Sequence, residues 1–480
     1  MSQPNIVFIL IDDLGWRDLC CYGSDFYETP NLDRLAAQGM RFTDAYASCP
    51  VSSPTRASLM SGKYPARVGV TQYIGGHAVG KLQDVPYHHN LPLSEISIAT
   101  ALRRGAPGAP GAPGYQTWHV GKWHLGDQAT PRHHGFDVNL GGCGWGHPRH
   151  GYFSPYQCPT LSDGPPGEYL TDRLTDEAIK LIQERDQARP FFLNFWHYAV
   201  HTPIQSPPDL VRKYEEKTRR LGLDQQQAIV EGEYFPCQHK RTKRIERRII
   251  QSDAKYAAMM ENLDMNIGRL LDALDQAGLA DDTLVVFKSD NGGLSSAEGS
   301  PTCNLPLAEG KGWMYEGGTR VCQMARWPGR IKAGAICTTP TTSTDWYPTL
   351  LEAAGLPMMP QQHVDGVSLM PLLEGHELER GAIYWHYPHY GNQGGTPGAS
   401  VRDGDWKLIE FFEDGHLELY NLREDEEEKH NRAATEPELT RRLLEQLHRW
   451  RREVEALIPK PNPNYVPPPP LPAEVDAAHV

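Results

Sequence analysis

The run Asn5-Ile6-Val7-Phe8-Ile9-Leu10-Ile11 is apolar without alternation and rich in β-branched residues, the pattern of a strand buried on both faces of a parallel sheet. Residues 190–196 and 283–287 repeat it closely, and 115–120 reads as a further strand. Between these runs, apolar residues recur at three- and four-residue spacing and predict helices. Residues 29–39 carry Thr29 as cap, Pro30 at the first helical position and Gly39 as stop. Residues 96–104 and 342–355 read as two more. Residues 252–278 place Tyr256, Met259, Met260, Leu263, Ile267, Leu270, Leu271 and Leu274 on one face, with Ser252 as cap and Gly278 as stop; the methionines there are packing residues. Strands alternating with helices predict an α/β fold, a large mixed, mostly parallel sheet sandwiched by helices. From about residue 371 the pattern changes. Residues 385–390 and 400–422 give short strands joined by Asp403-Gly404 and Asp414-Gly415 turns, and an amphipathic helix follows over 436–457. This is a smaller C-terminal antiparallel-sheet-plus-helix domain. The division expected is 1–370, 371–458 and a proline-rich tail 459–480, with 459–472 extended along the surface or disordered. Three copies of Ala-Pro-Gly at 106–114 read as an exposed loop, and Lys240-Arg241-Thr242-Lys243-Arg244 as a solvated helix face.

At 480 residues, with 39% hydrophobic and 22% charged residues, the chain has the composition of a soluble globular protein with a large core. A net charge of −13 argues against a nucleic-acid partner and weakly against long polyanions. Nine cysteines, an odd number without a Cys-x-x-Cys pair, predict buried thiols and neither a disulfide framework nor structural zinc. No apolar run approaches the ~20 residues of a membrane span. The N-terminus lacks a charged leader and cleavage site, which predicts a cytoplasmic protein as written, periplasmic or secreted if a leader has been removed. The sequence sets no oligomeric state.

Chemistry concentrates where the strands end. The first strand runs into Asp12-Asp13, and the strand at 283–287 into Ser289-Asp290-Asn291-Gly292-Gly293. Open α/β sheets bind ligands at the carboxyl ends of their strands. Adjacent carboxylates repel unless a cation lies between them, and an all-oxygen donor set suits Ca²⁺ or Mg²⁺ over zinc. Ser52 stands at the start of a short helix, with Pro54 in its first turn and Gly62 as stop. Such an end favours an anion, and Arg56, one turn on, can return over the same spot. Lys122 and His124 alternate with apolar neighbours after the strand at 115–120, so on an extended chain both would face one side. His197 and His201 follow the strand at 190–196; His197 reads as a supporting residue.

Four segments in this order resemble the type I sulfatases: Ser52-Ser53-Pro54-Thr55-Arg56, Gly121-Lys122-Trp123-His124-Leu125-Gly126, Ser289-Asp290-Asn291-Gly292-Gly293, and Glu309-Gly310-Lys311-Gly312 with the residues up to Val321. The resemblance implies an alkaline-phosphatase-like fold and sulfate-ester hydrolysis. It implies metal ligands Asp12, Asp13, Asp290 and Asn291, completed by the oxygen of residue 52, with Ca²⁺ favoured and Mg²⁺ the alternative. Residue 52, oxidised to formylglycine, would attack sulfur as its hydrate, stabilised by the ion and Arg56. Lys122, His201 and Lys311 would hold the sulfuryl oxygens, with His201 or Lys311 as the acid. His124 would be the base that expels sulfate, and Glu316 and Arg320 would brace the last loop by ion pairing. The sequence departs from the pattern at position 52, a serine where most members have cysteine; Cys49 is out of register. Ser52 therefore needs a maturation enzyme of its own, or is a lost precursor. The partners expected are a small sulfated saccharide, leaning to galactose or N-acetylgalactosamine sulfate, or an aryl sulfate. Trp145, His147 and Arg149 of the Gly-rich 141–151 segment, with His386, His389 and Arg402, are the candidates for gripping it. A phosphomonoester or phosphonate hydrolase of the same fold, and a catalytically silent sulfate-ester binder, are the alternatives.

Overall fold

The computed structural model describes residues 3–105 and 114–471. The Ala-Pro-Gly insert apart from Gly114, and the tail beyond residue 471, lie outside the described residues. Ten strands precede the C-terminal region: β1 (Asn5–Ile11), β2 (Met40–Phe42), β3 (Gln116–Gly121), β4 (Val138–Leu140), β5 (Phe191–Trp196), β6 (Ile229–Tyr234), β7 (Arg244–Arg248), β8 (Thr283–Ser289), β9 (Gln323–Arg326) and β10 (Ala335–Cys337). Eight form one sheet in the order β10-β2-β9-β8-β1-β5-β3-β4. Only β9 runs against the others, pairing antiparallel with both β8 and β2. β1 lies between β5 and β8 in parallel register, Leu10 opposite Trp196 and Ile11 opposite Ser289. The carboxyl ends of three apolar strands thus come level.

Alternate side chains of β1 feed two cores, as the period of a strand requires. Val7, Ile9 and Ile11 pack under the helices Pro30–Gln38, Leu170–Glu184 and Ala254–Gln276. Ile6, Phe8 and Leu10 pack under Ser52–Ser61, Ile98–Arg104 and Trp346–Ala353. All seven residues of β1 are buried, and each fully buried aliphatic or aromatic side chain contributes about 1.5–3 kcal/mol. The long helix begins one residue later than its apolar period suggests. Asp253 caps it, accepting from the amides of Lys255 and Tyr256 at 2.9 and 3.0 Å, while Ser252 Oγ accepts from Arg248. The charged stretch before it is not a helix face: Lys240 ends a short 3₁₀ turn and Arg244 opens β7, which pairs with β6 as a hairpin. Lys240 donates to the Asn392 carbonyl and Arg244 to the Gly232 carbonyl, while Arg247 further along is held between Glu233 and Glu309 and lies 5.2 Å over Trp313.

The C-terminal strands β11 (Ile383–Tyr387), β12 (Gly398–Asp403), β13 (Trp406–Phe411) and β14 (Leu417–Asn421) form an antiparallel sheet in chain order. The helix Pro437–Glu453 covers one face, Leu443, Leu447 and Trp450 meeting Val401, Leu408 and Leu419. The opposite face, with Trp385, Ile409 and Tyr420, packs on Tyr46, Cys49 and Val51, the residues leading into Ser52. The small sheet is therefore a backstop for the Ser52 helix. A buried charge cluster ties the two parts: Lys407 Nζ donates to Glu316 Oε1 and pairs with Glu428, each at 2.9 Å, and the Glu316 amide donates to Glu428 at 2.6 Å. Glu316 and Arg320 thus brace their loop across to the small sheet as well as to each other, 3.8 Å apart. The described part of the tail is an extended strap: Pro461 bridges to Leu82, and Asn462 bonds Lys81 and Gly80 of the 71–91 loop. The cysteines are free, six of them buried. Among the described residues no helix is long and apolar enough to cross a membrane.

Candidate active site

Six chain segments converge at the carboxyl ends of β1, β3, β5 and β8. Asp12 and Asp13 leave β1, and Asp13 turns through a left-handed backbone conformation (φ 61°) that lets its amide donate to Asp290 Oδ1 at 3.2 Å. Ser52 is the first residue of its helix. Its Oγ lies 3.0 Å from Asp12 Oδ1 and 3.3 Å from Asn291 Oδ1. Arg56, fully buried, forks onto Asp290 Oδ2 through Nε and Nη2 (3.0 and 2.8 Å) and donates Nη1 to the Lys122 carbonyl at 3.1 Å. Its guanidinium lies 5.1 Å over the Trp196 ring at the end of β5. The helix thereby clamps β8 to the loop after β3, and Arg56 reaches toward Asp12 Oδ1 at 3.8 Å.

Lys122 Nζ donates to Asp12 Oδ2 and stands 3.5 Å from Ser52 Oγ. β3 ends at Gly121 (φ 104°), where a Cβ would meet the Trp196 carbonyl at 1.9 Å, and His124 takes a left-handed conformation (φ 53°). A turned backbone, and not strand alternation as the spacing predicts, brings Lys122 and His124 to one site. Lys311 Nζ bonds Asp13 Oδ2 at 2.8 Å and His201 Nε2 at 3.0 Å. Ser52, Arg56, Lys122, His201 and Lys311 and all the implied metal ligands are thus linked within one network, while His124 is held beside it through its carbonyl, which accepts from Ser53 Oγ at 2.9 Å.

The protonation states follow from these contacts. Burial alone would raise the Asp13 carboxyl, but Lys311, His201 and Lys122 hold it below the usual carboxylate range. Burial works against the Lys311 ammonium, yet Asp13, Glu298 and Asp12 raise its pKa above the ordinary lysine value. Burial and then Asp12 push Asp290 up to about 6. His201 is pushed down to about 3 by burial and by Lys311. Its Nδ1 faces the Thr202 carbonyl at 2.9 Å, which can only accept, so Nδ1 carries the proton and Nε2 accepts from Lys311. His124 is likewise held neutral by burial, Lys122 and Arg56. Its Nε2 donates to the Ile74 carbonyl at 3.3 Å, leaving the Nδ1 lone pair without a protein partner among the described residues.

The donor set fits a hard cation. A serine hydroxyl has one proton, so of its contacts to Asp12 Oδ1 and Asn291 Oδ1 one is oxygen against oxygen, an arrangement a cation relieves. Ligand atoms of Asp12, Asp13 and His201 also lie within 4.8 Å of one another.

The implied saccharide contacts divide. The 141–151 loop reaches the site: the His147 ring stacks on His201 at 6.1 Å, Arg149 lies over Trp145 at 5.3 Å, and Gly146 abuts His124. The C-terminal three do not face it. His386 is buried and bonds the Leu457 carbonyl, and Arg402 is consumed by Asp44, Tyr46 and the Gly404 carbonyl. His389 is buried between Asp84 Oδ1 (2.6 Å) and Thr71 Oγ1 (2.9 Å), where it pins the 71–91 loop. Their aromatic and cationic character reflects interior pairing. Sequence reasoning missed this loop, whose Ile74 amide is held by Ser53 Oγ and whose carbonyl orients His124; backbone groups leave no composition signal. His197, at the end of β5, is buried with neither ring nitrogen bonded among the described residues.

A sulfatase family model matches residues 4–356, and a model of the N-sulphoglucosamine sulphohydrolase C-terminal region matches residues 309–453. A sulfatase of Formosa agariphila is 32% identical, covering 94% of this chain and 89% of its own. Human N-acetylgalactosamine-6-sulfatase is 30% identical over 80% of this chain and 68% of its own. The solved structure of Ps i-CgsB is 28% identical with a TM-score of 0.75, covering 94% of this chain and 93% of that one; its complex with k-i-k-neocarrahexaose gives 0.73. With these matches laid over the converging carboxylates, lysines and histidines, the chain belongs to the sulfatase family and is a sulfuric ester hydrolase.

Proposed function

We propose that the protein removes sulfate from a small sulfated saccharide, galactose or N-acetylgalactosamine sulfate first among them, or from an aryl sulfate, at a site built on residue 52. The observation that carries this is Ser52 Oγ among Asp12, Asn291 and Lys122 at 3.0–3.5 Å, with Arg56 one turn behind it. Relatives named N-acetylgalactosamine-6-sulfatase and a neighbour solved with k-i-k-neocarrahexaose support the substrate class.

Asp12, Asp13, Asp290, Asn291 and the oxygen of residue 52 would hold the divalent cation, Ca²⁺ by family pattern and Mg²⁺ as the alternative. Such an ion supplies Lewis acidity toward the nucleophile and the ester oxygens. Maturation of Ser52 to formylglycine would supply a hydrate with one hydroxyl to attack and a second for breakdown. The chain's own side chains do the rest. Lys122, 3.5 Å from Ser52 Oγ, and Lys311 would neutralise charge on sulfuryl oxygens as it develops. Lys311 keeps its proton under the Asp13 carboxylate and is the donor to a leaving alkoxide, while neutral His201 orients it through Nε2. His124, neutral with Nδ1 open, is the base.

Two measurements test this together. Intact mass of native protein should show loss of two hydrogens at Ser52, and nitrophenyl sulfate should be turned over faster than nitrophenyl phosphate. An unmodified mass with full activity refutes the formylglycine route. Preference for the phosphate refutes the sulfatase assignment.

A further inference from the structure

The loop that follows Asn291 contains a backbone feature the chemistry above does not use. Ala297, Glu298, Gly299 and Ser300 all adopt positive φ (61°, 51°, 89° and 41°), three of them without the freedom of glycine. Successive non-glycine residues in the left-handed region persist only when their surroundings enforce them, and such strain collects at functional sites. The surroundings here are specific. Arg248 Nε donates to the Ser300 carbonyl at 2.5 Å, Ser300 Oγ and the Ala297 amide both donate to the Glu246 carbonyl, and the Ser300 amide closes the turn onto Ala297.

The turn displays Glu298, which is solvent-exposed. Its Oε1 accepts from Asn392 Nδ2 at 2.6 Å and from Gln393 Nε2 at 3.2 Å, both from the C-terminal region. Oε2 has no partner among the described residues. Gln393 is buried and packs on Gly312, directly after Lys311: a Cβ there would lie 3.2 Å from Gln393 Cβ, and φ is 83°. Gln393 Oε1 is itself buried without a hydrogen bond. The carboxylate is thus fixed relative to Lys311 through two tight contacts, and it lies within electrostatic reach of Lys311, of His147 on the facing loop and of Tyr73 on the 71–91 loop. Lys240, whose Nζ bonds the Asn392 carbonyl, is the cation beside it.

We propose that Glu298 is the specificity-determining residue of the mouth. It accepts hydrogen bonds from hydroxyl or amine groups of the ring that carries the sulfate, and it disfavours rings with a second anionic group, a carboxylate or another sulfate. This rests on the saccharide sulfatase function proposed above and extends it to a charge rule. A unit charge about 7 Å from a second one, in surroundings between protein and water, changes affinity about tenfold.

The test is calorimetric binding of N-acetylgalactosamine 6-sulfate and of its 4,6-disulfate to the full chain carrying Ser52→Ala, so that turnover does not intrude, with Glu298, Glu298→Gln and Glu298→Asp compared. With Glu298 the monosulfated sugar should bind about tenfold more tightly than the disulfated one. Glu298→Gln should bring the ratio near one, and Glu298→Asp should restore much of it. A ratio that Glu298→Gln leaves unchanged, or a disulfated sugar bound more tightly with Glu298 in place, overturns the proposal. Hydrolysis of nitrophenyl sulfate by the wild-type chain is followed separately. Its absence would sink the sulfatase function, while the affinity ratio would still decide the role of Glu298.

Discussion

Gly146 is the point where the 141–151 loop touches the catalytic machinery, and Gly146→Ala converts that contact into a clash of known size. An added Cβ would lie 2.8 Å from His124 Cε1 and 2.9 Å from Nε2. Ordinary carbon contacts begin near 3.5 Å, so the ring or the loop must yield by roughly 0.5–1 Å. The His124 ring is tethered by one 3.3 Å bond to the Ile74 carbonyl, while its backbone is held by Cys143 and Ser53, so the ring is the softer partner. Misplacing a catalytic group by about 1 Å costs on the order of 10²-fold in rate. Gly146→Ala should therefore lower kcat on nitrophenyl sulfate by about 30- to 100-fold, with KM changed less than threefold and the melting temperature near the wild-type value. Gly381→Ala, whose Cβ meets nothing within 4 Å, is the control for a harmless methyl. Wild-type kcat in Gly146→Ala would refute the claim that this loop fixes His124 for catalysis.

Arg56→Lys keeps the charge but loses the fork that joins Asp290 to the Lys122 carbonyl, so kcat/KM should fall at least about 10²-fold; steady-state kinetics with wild-type turnover would exclude the clamp. Lys407→Met leaves Glu428 without its buried ion-pair partner and Glu316 with only the longer 3.8 Å Arg320 contact, and should cost about 3–5 kcal/mol in chemical denaturation, against under 1 kcal/mol if the cluster is incidental. Burial pushes His386 down to about 3, so between pH 3 and 6.5 the unfolded chain binds the proton that the folded chain refuses. Stability must then fall as pH drops below 6.5, this one residue contributing a slope of about 1.4 kcal/mol per pH unit. His386→Gln should flatten the slope by that amount in melts across the range while leaving saccharide turnover at pH 7.5 intact; an unchanged slope contradicts the buried, neutral assignment.

What could be read from the sequence follows the physics of each element. β1, β5 and β8 announce themselves because strands buried on both faces are apolar nearly throughout, and Asp12, Asp13, Asp290 and Asn291 stand out as the polar residues that follow β1 and β8. Lys311 and Lys122 required the resemblance, since a lysine flanked by glycine or tryptophan has no signature of its own. The pairing of Lys407 with Glu316, 91 residues apart, and the fixing of Glu298 by Asn392 and Gln393 exist only after folding. His386, His389 and Arg402 show the converse: residue types suited to gripping a sugar are equally suited to satisfying a buried carbonyl or carboxylate, and only burial separates the two. The charge run Lys240–Arg244 reads as a solvated helix face because charges dominate it, whereas β6 and β7 pair through backbone bonds around it and Arg247 finds Glu233, Glu309 and Trp313.

The account turns on Asp12, Asp13, Asp290, Asn291 and the oxygen of residue 52 forming a single hard-cation site. Calorimetric titration of Ca²⁺ and Mg²⁺ into metal-stripped protein, with Asp290→Asn alongside, tests it most directly. One equivalent per wild-type chain is predicted, with affinity at least about tenfold weaker in Asp290→Asn. Wild-type protein that takes up no divalent cation, or Asp290→Asn that binds as tightly as wild type, would contradict it.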